Sequence, residues 1–209
     1  MQNLDQASIT VRDGSSSDVA EVLRIYTPYV LHGLATFEEV PPTLEEMTKR
    51  RESIVTLGLP YLVASNGDGV VGYAYATTYR PRPAYRHTVE NSVYVTQASH
   101  RSGVGTALLQ VLVARCEAGP WCQMVAVIGD SANAGSIALH RKTGFTHVGT
   151  LSAVGFKHGR WVDTVLMQRA LSVDQRQRRD DPRPLDPCLL CGTLTTSAAH
   201  PPRTFPRSS

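Results

Sequence analysis

Residues 90–106 read ENSVYVTQASHRSGVGT, and this stretch is the most informative part of the chain. Its apolar run Ser92–Val95 is typical of a buried strand, and Gly103 and Gly105 open an apolar helix pattern. Glycine lets the backbone approach a ligand closely, while the first turn of a helix offers unpaired N–H groups and the positive end of the helix dipole. The pattern therefore indicates a phosphate-binding site, to which Arg101 adds a cationic contact. The alternative is an ordinary turn, since motifs this short also occur by chance.

Two other phosphate-binding motifs do not fit this loop. It lacks the Gly-Lys-Ser/Thr sequence of a P-loop, so the sequence does not favour hydrolysis of a nucleoside triphosphate. It also lacks the third glycine of the dinucleotide-binding fingerprint and the acidic residue expected after it. A nicotinamide-dependent dehydrogenase is therefore not favoured.

The composition is that of a soluble globular protein. The chain has 209 residues, of which 42% are hydrophobic and 19% are charged, with a formal net charge of +3. This length allows one ordinary domain with some residues to spare, and the mild charge favours neither nucleic acid nor a membrane as a partner. No apolar run is long enough to span a membrane, and the N-terminus lacks a signal-peptide pattern. With only four scattered cysteines, we expect a cytoplasmic protein.

The composition changes near residue 171. Residues 1–171 alternate apolar segments with turn signals, and we expect one folded domain there. Residues 172–209 are rich in Arg, Pro, Ser and Asp without periodicity, so we expect a disordered tail. In that tail Cys188 and Cys191 have the spacing of a metal knuckle and His200 follows, but a second ligand pair is absent and we predict no metal site.

Strand and helix patterns alternate through residues 1–171. Apolar runs predict strands at Ile9–Arg12, Tyr61–Ser65, Val70–Tyr79, Val89–Val95, Met124–Ile128, His147–Gly155 and Trp161–Arg169. Helical spacing and capping residues predict helices that begin at Ser17 or Asp18, at Thr43 with Glu46 as its capping partner, at about Gly103, and at Asn133. Gly144 is expected to end the last of these helices. The alternation predicts a mixed α/β domain.

The order and spacing of two motifs resemble those of the GNAT superfamily of acetyltransferases. Val93–Val95 followed by Arg101–Thr106 resembles motif A of that superfamily, and Asn133–His140 followed by Gly144 and Phe145 resembles motif B. Over roughly residues 9–171 the chain is similar to the phosphinothricin/methionine sulfoximine N-acetyltransferase family. The segments that carry this likeness are Tyr79–Arg82, Thr88–Val95, Val125–Ile128 and Gly155–Asp163.

This resemblance implies a fold, a co-substrate and a set of site residues. The fold is expected to be α/β (α+β), a GNAT-type acyl-CoA N-acyltransferase fold with a central mixed, mostly antiparallel sheet flanked by helices. Acetyl-CoA is the expected co-substrate, a small amino-acid-like molecule the expected acceptor, and a homodimer the expected assembly. The implied cofactor-binding residues are Val93, Tyr94, Val95, Arg101, Ser102, Gly103, Val104, Gly105, Thr106 and Asn133. The implied substrate-binding residues are Arg80, Pro81, Arg82, Glu90, Asn91 and Ser92.

Amide formation from a thioester requires a neutral amine, a stabilised oxyanion and a leaving thiolate. Glu90, at the start of a strand, is the predicted base, with a solvated strand-end glutamate as the alternative. A backbone N–H of Tyr94 or Val95 is the predicted oxyanion donor. His140, where many members of the superfamily have tyrosine, or a nearby tyrosine is the predicted proton donor to the thiolate, and the alternative for His140 is a helix-surface or packing role. Arg80, more than Arg82, is expected to pair with the substrate carboxylate.

Two other functions stay open on the sequence alone. One is acetylation of a different amine, such as a protein N-terminus, a polyamine or an antibiotic. The other is a non-catalytic, coenzyme A-binding regulatory module that keeps the cofactor loop.

Overall fold

A computed structural model describes residues 8–67 and 69–171 of the protein. These residues form a single seven-stranded sheet in the order β1-β2-β3-β4-β5-β7-β6. The strands are β1 (Thr10–Asp13), β2 (Tyr61–Asn66), β3 (Gly69–Thr78), β4 (Thr88–Val95), β5 (Gln123–Gly129), β6 (Thr146–Lys157) and β7 (Arg160–Ala170). Only β4 and β5 are paired in parallel, and the other neighbours are antiparallel. The predicted mixed, mostly antiparallel sheet is confirmed, whereas the predicted tail with its metal-knuckle spacing lies outside the described residues.

Four α-helices accompany the sheet in the described part of the chain. They are α1 (Val19–His32), α2 (Leu44–Thr56), α3 (Val104–Glu117) and α4 (Ala134–Lys142). None of these helices is long and apolar enough to cross a membrane. Thr43 caps α2 as predicted, because its Oγ1 accepts a hydrogen bond from the backbone N–H of Glu46 at 3.1 Å.

Asp18 precedes α1 as predicted, but its carboxylate points away from the helix. It accepts a hydrogen bond from the backbone N–H of Ser15 at 2.7 Å and is paired with the guanidinium of Arg12 at 2.7 Å. Since an ion pair and a backbone donor both favour the charged form, the pKa of Asp18 is held well below its usual range, mainly by the hydrogen bond from Arg12. Asp18 therefore ties the start of α1 to β1.

The two faces of the sheet carry different helices, because side chains alternate along each strand. Tyr73 in β3 stacks on Tyr94 in β4, and Tyr94 makes an edge contact with Tyr26 of α1 at a centroid distance of 4.9 Å. The neighbouring Gly72 faces the other side, where a Cβ would lie 3.0 Å from Leu108 of α3. One face of β3 and β4 therefore packs on α1, and the opposite face packs on α3.

The α3 face is almost entirely apolar. Val104, Leu108, Leu109 and Leu112 recur at helical spacing, and each is at most 2% exposed. The α1 face is different, since six of the eight tyrosines of the chain lie close together there: Tyr26, Tyr29, Tyr61, Tyr73, Tyr75 and Tyr94. This tyrosine cluster places hydroxyl groups inside an otherwise hydrophobic core.

Candidate functional site

The parallel strands β4 and β5 are paired over only part of their length. Residues 88–91 lie opposite residues 123–126, and beyond that point the two strands are no longer registered with each other. The backbone of Val93 and the residues that follow it in β4 therefore borders a gap in the sheet. Unpaired strand edges of this kind leave N–H and C=O groups available to a ligand.

The hydrogen bonds of β4 decide which amide groups face this gap. Thr96 donates its backbone N–H to the carbonyl of Val71, on the β3 side, at 2.8 Å. Because the pattern alternates along an antiparallel pair, Tyr94 also donates toward β3, whereas Val93 and Val95 present their N–H groups to the gap. Tyr94 is therefore a poor oxyanion donor, and Val95 or Val93 is better placed.

A cavity of about 580 Å³ occupies the gap between β4, β5, α3 and α4. The predicted site residues that line it are Asn91, Ser92, Val93, Tyr94, Arg101, Gly103, Gly105, Thr106, Asn133 and His140. The predicted residues outside its lining are Arg80, Pro81, Arg82, Glu90, Val95, Ser102 and Val104. The structure thus brings most of the predicted cofactor residues to one cavity and leaves Glu90 and the predicted substrate-binding residues Arg80, Pro81 and Arg82 outside its lining.

The loop that begins α3 forms one wall of this cavity. Gly103 occupies the N-cap position with a φ of 92°, a left-handed conformation that glycine adopts at little cost. The first intrahelical bond runs from Ala107 N to Gly103 O at 3.0 Å, so the amides of residues 104–106 have no partner within the helix. These amides and the exposed cation of Arg101 suit a pyrophosphate group. Gly105 has a separate role, because a Cβ there would lie 3.3 Å from Leu139 of α4.

Glu90 lies on the tyrosine-bearing face of the sheet, opposite Thr77 of β3. Its carboxylate is partly buried, and this burial raises its pKa. The positive charge of Arg80 opposes that rise and has the smaller effect. A carboxylate with a raised pKa is a stronger base than a solvated one, as proton abstraction from an ammonium group requires.

Asn91 faces the opposite side of β4, and its side chain is committed to other protein groups. It is 5% exposed, and its Nδ2 donates to the carbonyl of Val125 at 3.1 Å. Its Oδ1 lies 2.9 Å from Nε2 of His140. The predicted grouping of Glu90, Asn91 and Ser92 as substrate-binding residues is therefore split, because the middle residue of three in a strand points away from its neighbours.

His140 is 4% exposed and has an oxygen beside each ring nitrogen. Nδ1 lies 2.8 Å from the carbonyl of Ser136, and Nε2 faces Asn91 Oδ1, an orientation assigned from the amide hydrogen bond to Val125. A neutral imidazole has one N–H and serves one of these oxygens, whereas the protonated ring serves both. Burial nevertheless lowers the pKa of His140, and the hydrogen bond to Ser136 raises it less. The ring is thus held beside the cavity by two contacts that compete for its proton.

The predicted substrate-binding residues Arg80, Pro81 and Arg82 lie in the surface loop between β3 and β4. Arg80, Pro81 and Arg82 are all exposed, and the guanidinium of Arg80 stacks over the ring of Tyr79 at 5.1 Å from its centroid. The two arginines are separated by a proline and are not brought into the cavity. Their predicted role in carboxylate binding stays a prediction.

Tyr29 is a site residue that the sequence reasoning did not include. Its hydroxyl donates to the carbonyl of Val95 at 2.6 Å, accepts from the N–H of Val95 at 3.3 Å and lies 3.2 Å from Nε2 of His100. Tyr29 follows Tyr26 by three residues, so helical spacing alone places both on one face of α1. What the spacing does not reveal is that this face meets the free edge of β4.

Asn133 is placed at the start of α4 as predicted. Its Oδ1 accepts from the N–H of Ser136 at 3.2 Å, which makes it the N-cap of the helix. It also lines the cavity. Its backbone N–H donates to the carbonyl of Asp130 at 3.0 Å and its Nδ2 donates to the carbonyl of Gly129 at 3.5 Å, so the second hydrogen of Nδ2 is the side-chain donor left for a cofactor.

Comparison with known proteins agrees with this arrangement. The sequence pattern of the acetyltransferase (GNAT) domain matches residues 11–166. The chain is 50% identical over 169 residues to the phosphinothricin N-acetyltransferase of Alcaligenes faecalis, which covers 81% of this chain and 86% of the relative. It is 40% identical over 162 residues to the L-methionine sulfoximine/L-methionine sulfone acetyltransferase of Pseudomonas aeruginosa, which covers 77% of this chain and 94% of the relative.

A solved structure shows the same fold with its ligand. The crystal structure of a GNAT superfamily phosphinothricin acetyltransferase from Sinorhizobium meliloti in complex with acetyl-CoA superposes with a TM-score of 0.76. The two proteins are 48% identical, and the match covers 78% of this chain and 89% of that one. The predicted fold, enzyme class and co-substrate are therefore confirmed. The chain belongs to the GNAT superfamily of N-acetyltransferases, whose acetyl donor is acetyl-CoA.

Proposed function

We propose that this enzyme transfers the acetyl group of acetyl-CoA to the α-amino group of a small amino-acid analogue such as phosphinothricin or methionine sulfoximine. The observation that carries the proposal is the gap between β4 and β5, with the phosphate-binding loop at one end and Glu90 beside it. The acceptor is inferred from the relatives, which are named for these two amino-acid analogues.

In the proposed reaction Glu90 takes a proton from the ammonium group of the acceptor, directly or through water. The nitrogen lone pair then attacks the thioester carbon, and a C–N bond forms as negative charge develops on the carbonyl oxygen. The gap-facing N–H of Val93 is the donor we assign to that oxygen, since Tyr29 already occupies the N–H of Val95. The attacking nitrogen loses its second proton to water, and collapse of the intermediate breaks the C–S bond and releases the amide and the thiolate of coenzyme A.

The leaving thiolate needs a proton, and His140 is the proposed donor. In its protonated form this ring bonds both Ser136 and Asn91, so giving up the Nε2 proton leaves the contact with Asn91 without a hydrogen. Because burial lowers the pKa of His140, the neutral ring is its main form near neutral pH, so the proton that it gives to the thiolate must reach the ring through water during the reaction.

The cofactor is assigned to the residues of the cavity. The amides at the start of α3 and the guanidinium of Arg101 hold the pyrophosphate, while the gap-facing carbonyl of Val93 accepts a hydrogen bond from an amide of the pantetheine arm.

We also propose that the folded domain comprises residues 1–171, that the protein is cytoplasmic and that it forms a homodimer. The dimer is supported by five exposed apolar side chains on the hairpin of β6 and β7: Val148, Leu151, Val154, Phe156 and Trp161, which are 48–67% exposed. Light scattering tests the assembly: the wild type is expected as a dimer and Trp161→Lys as a monomer, whereas a monomeric wild type would contradict it.

The acceptor is tested by thiol release from acetyl-CoA across a panel of amines. Phosphinothricin, methionine sulfoximine and methionine sulfone are expected to be acetylated, with little turnover of a polyamine or of a peptide with a free N-terminus. If acetyl-CoA binds but no amino-acid analogue is acetylated, the proposed acceptor class is wrong.

A further inference from the structure

A second cavity, of about 310 Å³, lies on the tyrosine-bearing face of the sheet. Its wall is formed by α2 on one side and by β2 and β3 on the other, and it includes Tyr26, Tyr61, Tyr73, Tyr75, Met47 and Ile54. We call this cavity the tyrosine pocket. None of its lining residues lines the cavity between β4 and β5, so the two are separate spaces.

The tyrosine pocket opens next to the proposed reaction centre. Two of its lining residues, Tyr75 and Thr77, lie directly opposite Ser92 and Glu90 in the pairing of β3 with β4. Side chains of directly opposed residues on one face have Cβ atoms about 4.5–5.5 Å apart, so the pocket begins one side chain away from the proposed base.

A thin partition separates the pocket from the cofactor cavity. Tyr94 lines the cofactor cavity, whereas Tyr26 and Tyr73 line the pocket, and Tyr94 contacts both rings at centroid distances of 4.9 and 5.2 Å. An acceptor whose amine reaches the thioester near Glu90 therefore has the tyrosine pocket as the adjacent space on its own face of the sheet.

The pocket carries no free positive charge. Arg50 is its only charged lining residue among those the structure describes, and the guanidinium pairs with Glu38 at 2.6 Å and with Glu46 at 2.9 Å. Burial raises the pKa of Tyr26 to about 12 and also raises the pKa of Tyr75, so these phenols are neutral at physiological pH. An anion in this pocket would lose its hydration without gaining a counter-ion.

One polar group in the pocket lacks a partner. Tyr61 is 4% exposed and lines the pocket, and its hydroxyl oxygen makes no hydrogen bond with any described residue. A buried unpaired hydroxyl is costly, so a neutral ligand oxygen that accepts its proton is favoured. The volume corresponds to about ten water molecules, at about 30 Å³ each in the liquid, which is ample for a methionine-sized side chain.

We propose that the tyrosine pocket receives the side chain of the amino-acid acceptor and selects neutral side chains, above all those that end in an acceptor oxygen, over anionic ones. This inference rests on the proposed function and adds a rank order to it. Methionine sulfone, whose side chain is neutral, is the better acceptor, and phosphinothricin, whose side chain carries a phosphinate anion, is the poorer one.

The test compares kcat/KM for these two acceptors in the wild type and in two variants that each introduce one arginine, in the last turn of α2 or at its C-cap. Leu57→Arg places a cation in the lining of the tyrosine pocket, and Val55→Arg places the same cation on a residue that does not line it. Leu57 is 44% exposed and Val55 is 47% exposed, so both arginines are tolerated at the helix C-terminus. Circular dichroism and acetyl-CoA affinity check that each variant is folded.

The wild type is expected to favour methionine sulfone by about tenfold or more. Leu57→Arg is expected to raise the ratio of phosphinothricin to methionine sulfone by about tenfold, and Val55→Arg to leave it within about twofold of the wild type. Equal or better use of phosphinothricin by the wild type, or equal shifts in the two variants, overturns the assignment of the pocket. Failure of the wild type to acetylate either compound while acetyl-CoA binds instead overturns the proposed function.

Discussion

Replacing Glu90 by glutamine keeps the size of the side chain and removes the carboxylate that we assign as the base. General-base catalysis contributes about 10²- to 10⁴-fold, so we expect kcat/KM to fall by that factor. At 1.36 kcal/mol for each tenfold change, this is about 2.7–5.4 kcal/mol of lost transition-state stabilisation. Glu90 does not line the cofactor cavity, so the Kd for acetyl-CoA should change by less than about twofold.

The pH dependence of Glu90→Gln adds a second readout. Burial raises the pKa of Glu90, and only the carboxylate form accepts a proton. The activity of the wild type is therefore expected to fall as the pH drops through that raised pKa, at a higher pH than an ordinary glutamate would give. The residual activity of the variant should lack this step.

Thiol release at saturating acetyl-CoA measures turnover, and titration of acetyl-CoA measures affinity. Glu52→Gln is the matched control, since Glu52 is an exposed residue of α2 outside both cavities. Glu90 is not the base if Glu90→Gln keeps more than about a third of the wild-type kcat/KM, or if its loss of turnover is matched by an equal loss of acetyl-CoA affinity.

Three further predictions concern stability and cofactor binding. Asp18→Asn should lower the free energy of unfolding by about 1–2 kcal/mol at pH 7. Because folding lowers the pKa of Asp18, the difference in stability between wild type and variant should shrink as the pH falls below about 4. Urea unfolding at pH 7 and pH 3 measures this change. Gly103→Ala forces a Cβ into a φ of 92° and should cost about 1–2 kcal/mol and raise the Kd for acetyl-CoA. Gly149→Ala is the control and should change neither, since Gly149 has no left-handed φ, has no atom within 4 Å of its Cβ position and lies outside the cofactor cavity. Lys157→Met removes the Nζ that donates to the carbonyl of Thr36 at 2.8 Å and should cost about 1–3 kcal/mol in urea unfolding; an unchanged midpoint would contradict this.

The sequence was sufficient for the parts of the molecule that local patterns specify. The strand before Gly103, the helix after it and the caps at Thr43 and Asn133 all follow from residue type and spacing, and each was confirmed. These features depend on neighbours within a few positions, where propensity and hydrogen bonding decide the conformation.

The site was less predictable because its contacts join distant parts of the chain. Tyr29 meets Val95 across 66 positions, and no local pattern indicates such a contact. The side chains of Glu90 and Asn91 lie on opposite faces of β4, because side chains alternate along a strand. The resemblance had placed both in one substrate-binding group, because they are neighbours in sequence. The tyrosine pocket needs α2 to cover β2 and β3, which only tertiary packing reveals.

Lys157 links the C-terminal hairpin to the loop after α1 across 121 positions of the chain. During synthesis the N-terminal part of a protein leaves the ribosome first, so the carbonyl of Thr36 has no cation to bond until β6 has been made. A nascent chain therefore carries its phosphate-binding loop long before the loop after α1 is held in place. A chain that stops before residue 157 keeps the two motifs by which the family is identified, but it lacks the lysine that fastens the loop after α1 beside the cofactor cavity, which Ala35 of that loop lines.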